Sequence, residues 1–156
     1  MEHFKQIREL VQWAADYHAR LAVSYSEKAS NGTPGERQHM ALKYVADYQR
    51  SLQTELQKYL ADESDHRGVL DTWFEEAVDA PTVPELDSTV EAADAASVQK
   101  VLSATLASQR PLQELYKQRA EHAVSGSERE LFESLIGQYD AEVRRFSRNM
   151  QRLEDY

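Results

Sequence analysis

The sequence predicts an all-α protein, a four-helix bundle of two antiparallel helical hairpins joined by a long crossover. Three observations carry this. Inward-facing residues recur in alternating steps of three and four along four long stretches, the spacing of a helical seam. Stop-and-start signals at Asn31-Gly32-Thr33-Pro34 and at Ser125-Gly126-Ser127 divide the stretches into two pairs. Between the pairs Gly68, Pro81 and Pro84 interrupt the periodicity. The expected organisation is one domain, with a first hairpin over about 4–61, a crossover over about 62–95 and a second hairpin over about 96–154. At 156 residues a chain buries well over half of its unfolded surface and folds without disulfides or metal.

The first helix is read from Phe4 to Lys28, with Phe4, Ile7, Val11, Ala14, His18, Leu21 and Tyr25 on its seam. Asn31-Gly32 provides a stop. Thr33 is the expected cap of the second helix, Pro34 its first residue and Glu36 the partner in a capping box. That second helix runs to about Ala61 with Ala41, Val45, Tyr48, Leu52, Leu56 and Tyr59 inward. In the crossover only Val69-Leu70-Asp71-Thr72-Trp73-Phe74 reads as a short helix, with Trp73 and Phe74 as its anchors. The third helix carries Val98, Leu102, Thr105, Gln109, Leu112, Tyr116 and Ala120 on its seam. Pro111, lacking an N–H, is expected to bend or divide it. Ser127, with Glu130 as its partner, is the expected cap of the fourth helix, whose seam holds Phe132, Leu135, Tyr139, Glu142, Phe146, Met150 and Leu153.

Composition narrows the function classes. The chain has no cysteine, so it forms no disulfide, thiolate zinc site or cysteine nucleophile, and a cytoplasmic location is the expectation. The N-terminus leads into an amphipathic pattern and reads as no signal peptide. No stretch is long and apolar enough to span a bilayer. A formal charge of -9 disfavours nucleic acid, whose binding depends on Lys and Arg displacing counterions. Glycine-rich phosphate loops, nucleophile elbows and paired-histidine zinc helices are missing.

The two hairpins also resemble one another. Leu21-Ala22-Val23-Ser24-Tyr25-Ser26-Glu27-Lys28-Ala29 matches Leu112-Gln113-Glu114-Leu115-Tyr116-Lys117-Gln118-Arg119-Ala120. Both are similar to the Tyr-Glu-Lys-Leu-Ala stretch of the ferritin-like, rubrerythrin-like bundles, and Leu131-Phe132-Glu133-Ser134-Leu135 resembles a stretch of the same family. The resemblance implies the ferritin-like connectivity. It also implies a di-iron site, built in each hairpin from a Glu seven residues before the tyrosine and a Glu-x-x-His pair on the following helix. The corresponding positions here are His18 and Gln109, then Gln49-x-x-Leu52 and Tyr139-x-x-Glu142. Most di-iron ligands are therefore replaced.

Helical rise gives a second route to the same residues. His18, Gln49, Gln109 and Tyr139 each lie roughly 13–17 residues from their hairpin turn, which at ~1.5 Å per residue places them at one level. His18, Gln49, Gln109, Tyr139 and Glu142 are the expected buried polar cluster, which is stable in an apolar core only if its members bond to one another. No catalytic residue and no cofactor is expected. The expected role is a structural or protein-interaction module. The alternative is an atypical metal-binding protein or oxidoreductase with iron, manganese or zinc at His18 and Glu142. Glu36-x-x-His39 has a metal-ligand spacing too, but at the helix start, where capping accounts for Glu36. His66 and His122 read as surface histidines. A homodimer through a helix face suits such a bundle, and no residue specifies either that or a protein partner.

Overall fold

The computed structural model describes residues 2–31, 35–61, 68–83 and 97–155. The expected roles of Gly32, Thr33, Pro34, His66 and Pro84 lie outside them. Strand β1 (His3–Gln6) leads into helix α1 (Ile7–Ser30); α2 (Glu36–Leu60), strand β2 (Trp73–Asp79), α3 (Val98–Glu121) and α4 (Gly126–Asp155) follow. Four helices pack together, and none is long and apolar enough, among the described residues, to cross a membrane.

The helices bury the stripes that their periodicity defines. In α1 the buried residues include Ile7, Leu10, Val11, Ala14, His18, Leu21 and Tyr25, and in α4 Leu131, Phe132, Leu135, Tyr139, Phe146 and Met150. Helix α3 runs unbroken through Pro111. Proline removes one backbone bond from the ladder, and Leu112, Leu115 and Tyr116, all buried just beyond it, hold the next turn in place.

The start of α1 corrects one expectation. Residues 3–6 are a strand, antiparallel to β2, with Phe4 opposite Val78 and Gln6 opposite Trp73 and an irregularity between Phe4 and Gln6. Phe4 is buried, and strand alternation hides it as well as a helical seam would, so the spacing did not separate the two. The first amides of α1 need acceptors. Ile7 N–H donates to the Thr72 carbonyl (3.1 Å), Arg8 N–H to the Leu70 carbonyl (2.8 Å), and the Arg8 guanidinium to Asp71 (3.0 Å).

That clasp also corrects the short crossover helix. Residues 68–71 form a turn, and Trp73 and Phe74 begin β2. The carbonyls of Leu70 and Thr72, which a continuing helix would direct to its own amides, are taken by α1. Phe74 does anchor the segment, buried under the Arg119 guanidinium 5.8 Å from its ring centre. Trp73 points the other way and is 64% exposed.

The caps differ in a similar way. Helix α2 starts at Glu36 behind Gly35, whose φ of 94° suits glycine, and no side chain caps it. The α3–α4 turn is capped by Ser125, not Ser127: Glu128 N–H donates to Ser125 Oγ (3.1 Å), and the Glu128 carboxylate accepts from Val124 N–H (2.8 Å). The cap therefore lies two residues earlier than expected, with Gly126 as the first helical residue, and the Glu128 carboxylate reaches back past it to Val124.

Candidate functional site: a buried polar layer

Every helix contributes a polar side chain to the middle of the core. His18, Gln49, Gln109 and Tyr139 lie on the inward stripes of α1, α2, α3 and α4 respectively, and all four are buried. His18 Nδ1 is 2.7 Å from Gln49 Oε1. Because an amide oxygen only accepts, Nδ1 carries the proton and donates, leaving Nε2 with a lone pair. Gln109 Oε1 accepts from two phenols, Tyr139 (2.5 Å) and Tyr48 (2.7 Å). The His18 and Tyr139 rings lie 6.5 Å apart between centres and Tyr139 and Tyr116 6.4 Å, so the two bonded groups adjoin. Tyr17 seals one side by donating to the Ser108 carbonyl at 3.3 Å.

The bonding closes only in part. Among the described residues, His18 Nε2, Gln49 Nε2, Gln109 Nε2 and the Tyr116 hydroxyl are buried without a partner, and the Tyr25 hydroxyl approaches Thr105 without a well-formed bond. Thr105 instead donates to the Val101 carbonyl at 2.8 Å. Each unmet buried group costs roughly 1–3 kcal/mol, and five of them together rival the ~5–15 kcal/mol by which a whole domain is stable.

Burial sets the protonation states. It pushes the His18 imidazole down to about 4, with the Gln49 bond opposing the shift, so His18 is neutral at neutral pH. Burial raises Tyr25 to about 12, with the neighbouring Thr105 acting against it. It raises Tyr48 and Tyr116 further still and holds Tyr139 well above the ordinary phenol value. No phenolate forms in the physiological range, so the layer is electrically neutral.

Glu142 stands at the edge. Its side chain keeps 16% of its exposure and accepts from Arg145 at 2.6 Å, and Arg145 also donates to Ser51 at 3.0 Å. These residues line a cleft of about 290 Å³ between α2 and α4, whose wall includes Tyr48 and Phe146, stacked 4.4 Å apart. Tyr48 thus touches the cleft with its ring and the polar layer with its hydroxyl.

A two-metal centre does not fit this donor set. Paired divalent ions need bridging carboxylates to balance their charge, and the inward positions supply an imidazole, two amides and a phenol held protonated. Among the described residues, no three His, Asp or Glu side chains converge. The second candidate pair is occupied otherwise. His39 Nδ1 donates to the Ala29 carbonyl at 2.7 Å, tying α2 to the end of α1, while Glu36 is exposed in the first turn of α2. His122 Nδ1 caps the Gln118 carbonyl at the end of α3 (2.8 Å).

Tyr25, Tyr48 and Tyr116 are the members of the layer that apolar spacing alone conceals, since a seam tyrosine is accounted for by packing. The available signal is that a buried phenol seeks a partner, and Tyr48 precedes Gln49 while Tyr116 lies two turns beyond Gln109.

Fold and layer together define a predominantly helical protein whose four packed helices enclose a neutral polar centre. No family model, no curated protein and no solved structure matches the chain.

Proposed function

We propose that this chain is a ferritin-like bundle in which hydrogen-bonding side chains stand in place of a metal centre, and that it works as a structural or protein-interaction module. The connectivity is supported by contacts whose residue numbers rise on one helix as they fall on the next. Between α1 and α2 these are Ala29–His39 and His18–Gln49; between α2 and α4, Tyr59–Ser134 and Tyr48–Phe146; between α3 and α4, Tyr116–Phe132 and Gln109–Tyr139. Each pair is antiparallel, so α2 and α3 run the same way and their connection returns along the bundle.

The observation that carries the functional reading is the Gln109 amide accepting from Tyr48 and Tyr139. This side chain, at a position where the family resemblance implies a ligand carboxylate, is engaged with two neutral donors and specifies helix register. Trp73, exposed on the sheet beside Glu75 and Ala77, supports an interaction role, because tryptophan's apolar body and polar N–H suit it to interfaces. A cytoplasmic protein without cysteine suits this role.

Metal analysis of protein purified without chelator tests the proposal. Substoichiometric iron, manganese and zinc are expected. Stoichiometric metal that disappears in both His18→Ala and Glu142→Ala would establish the alternative, a metal-binding protein or oxidoreductase, which draws its own support from the free lone pair on His18 Nε2.

A further inference from the structure

We infer that the polar layer is an internal water-binding site, filled from the α2/α4 cleft past the Tyr48–Phe146 ring stack. The inference rests on the reading of the layer as metal-free. Its starting point is the inventory of unmet groups: the Gln49 and Gln109 amide nitrogens donate, the lone pair of His18 Nε2 accepts, and the Tyr116 and Tyr25 hydroxyls do both. They come from α1, α2 and α3, all from residues no more than about 2% exposed.

The ligand class follows from this set. With no charged group among them, the set supplies no counter-charge against an ion's desolvation. A molecule that donates and accepts at once satisfies both kinds of unmet group. Water is the smallest such molecule, and a buried water needs two to four polar partners. Five groups suit about two waters, each shared among side chains of different helices.

The route is equally specific. Tyr48 is the residue common to the cleft and the layer, its ring lining the one and its hydroxyl bonded to Gln109 in the other. Phe146, stacked on that ring at 4.4 Å with the planes 13° apart, holds it shut. Rotation of Tyr48 away from Phe146 breaks one hydrogen bond and opens the layer to solvent, which gives exchange slower than at a surface site and faster than global unfolding. Water at His18 Nε2 would also carry protons to an imidazole that has no direct contact with solvent.

A crystal structure of the full chain, joined to oxygen-17 water relaxation dispersion in solution, tests the inference. Ordered solvent density within hydrogen-bonding distance of Gln49 Nε2 and Gln109 Nε2 is expected, with a long-lived internal-water signal. Phe146→Ala leaves every polar group of the layer in place and, in a variant shown to be folded by its amide spectrum, should shorten water residence on the order of tenfold, the factor given by lowering a barrier by about 1.4 kcal/mol. Density with a metal's anomalous signal would overturn both this inference and the metal-free reading. Amides rotated to satisfy one another, or no internal-water signal in the folded parent, would overturn the inference alone. Unchanged residence in Phe146→Ala would overturn the route.

Discussion

Acidification should destabilise this protein through His18, by an amount the buried layer fixes. The folded-state imidazole titrates near 4, because burial penalises its charged form, whereas an unfolded histidine titrates at about 6.5. Between these values the unfolded state binds the extra proton. The contribution to stability is therefore complete above about pH 6.5 and is lost as pH falls towards 4. At about pH 5 the loss is about 1.5 pH units times ~1.4 kcal/mol, or about 2 kcal/mol, a large fraction of a domain's stability. Guanidinium unfolding of the parent and of His18→Gln, each followed from about pH 7.5 to 5, isolates the effect. The other histidines and the carboxylates contribute alike to both proteins, so the difference between the two pH slopes belongs to position 18. A parallel pair of curves would refute the buried neutral imidazole. Ring NMR offers a direct check, since the His18 signal should remain that of a neutral imidazole through pH 5.

Three further outcomes follow from packing and capping. Ser125→Ala should cost about 1 kcal/mol and Ser127→Ala much less, because only Ser125 accepts from the first turn of α4; equal effects in denaturant titrations would mean that the helix starts later. Phe74→Ala should cost about 3 kcal/mol or more, whereas Trp73→Ala on the opposite face should stay within about 1 kcal/mol; the reverse order would put the wrong face of β2 inward. Pro111→Ala should raise the melting temperature, restoring an amide that α3 lacks, with an upper bound of about 3 kcal/mol; a lowered melting temperature would show that the ring's packing outweighs the missing bond.

The four helices were legible because their inward stripes are long, and a repeated step of three and four is hard to produce by chance over more than 20 residues. The polar layer was legible for the same reason. His18, Gln49, Gln109 and Tyr139 interrupt the stripes without leaving them, and offsets from the turns that agree to about one helical turn bring them to one level. Glu142 obeys a different rule. Three residues beyond Tyr139 it is rotated by about 60° from it, enough to reach the rim of the cleft, where Arg145 meets its charge. The crossover was illegible locally. Val69–Phe74 has apolar residues at spacings that both a helix and a strand tolerate, and what decides between them is the demand of α1 for acceptors, a long-range fact. The same holds for β1, where four residues are too few for periodicity to discriminate. The caps show a milder form of this ambiguity, since Ser125 and Ser127 each have a glutamate three residues on.

The clasp between residues 70–72 and the start of α1 bears on the order in which the chain assembles. Arg8 and Asp71 are separated by 63 positions, and although Gln6 and Glu9 cap the helix start locally, the amides of Ile7 and Arg8 find their acceptors in that distant turn. Helical structure in α1 and α2 can form early from neighbouring residues, but the amides of Ile7 and Arg8 stay unpaired until residues 70–72 dock. Such distant contacts are costly in loop entropy and form late. Closure of the N-terminal turn thus reports that residues 70–72 have docked on α1, and amide exchange at Ile7 and Arg8 would time that event separately from formation of the helices themselves.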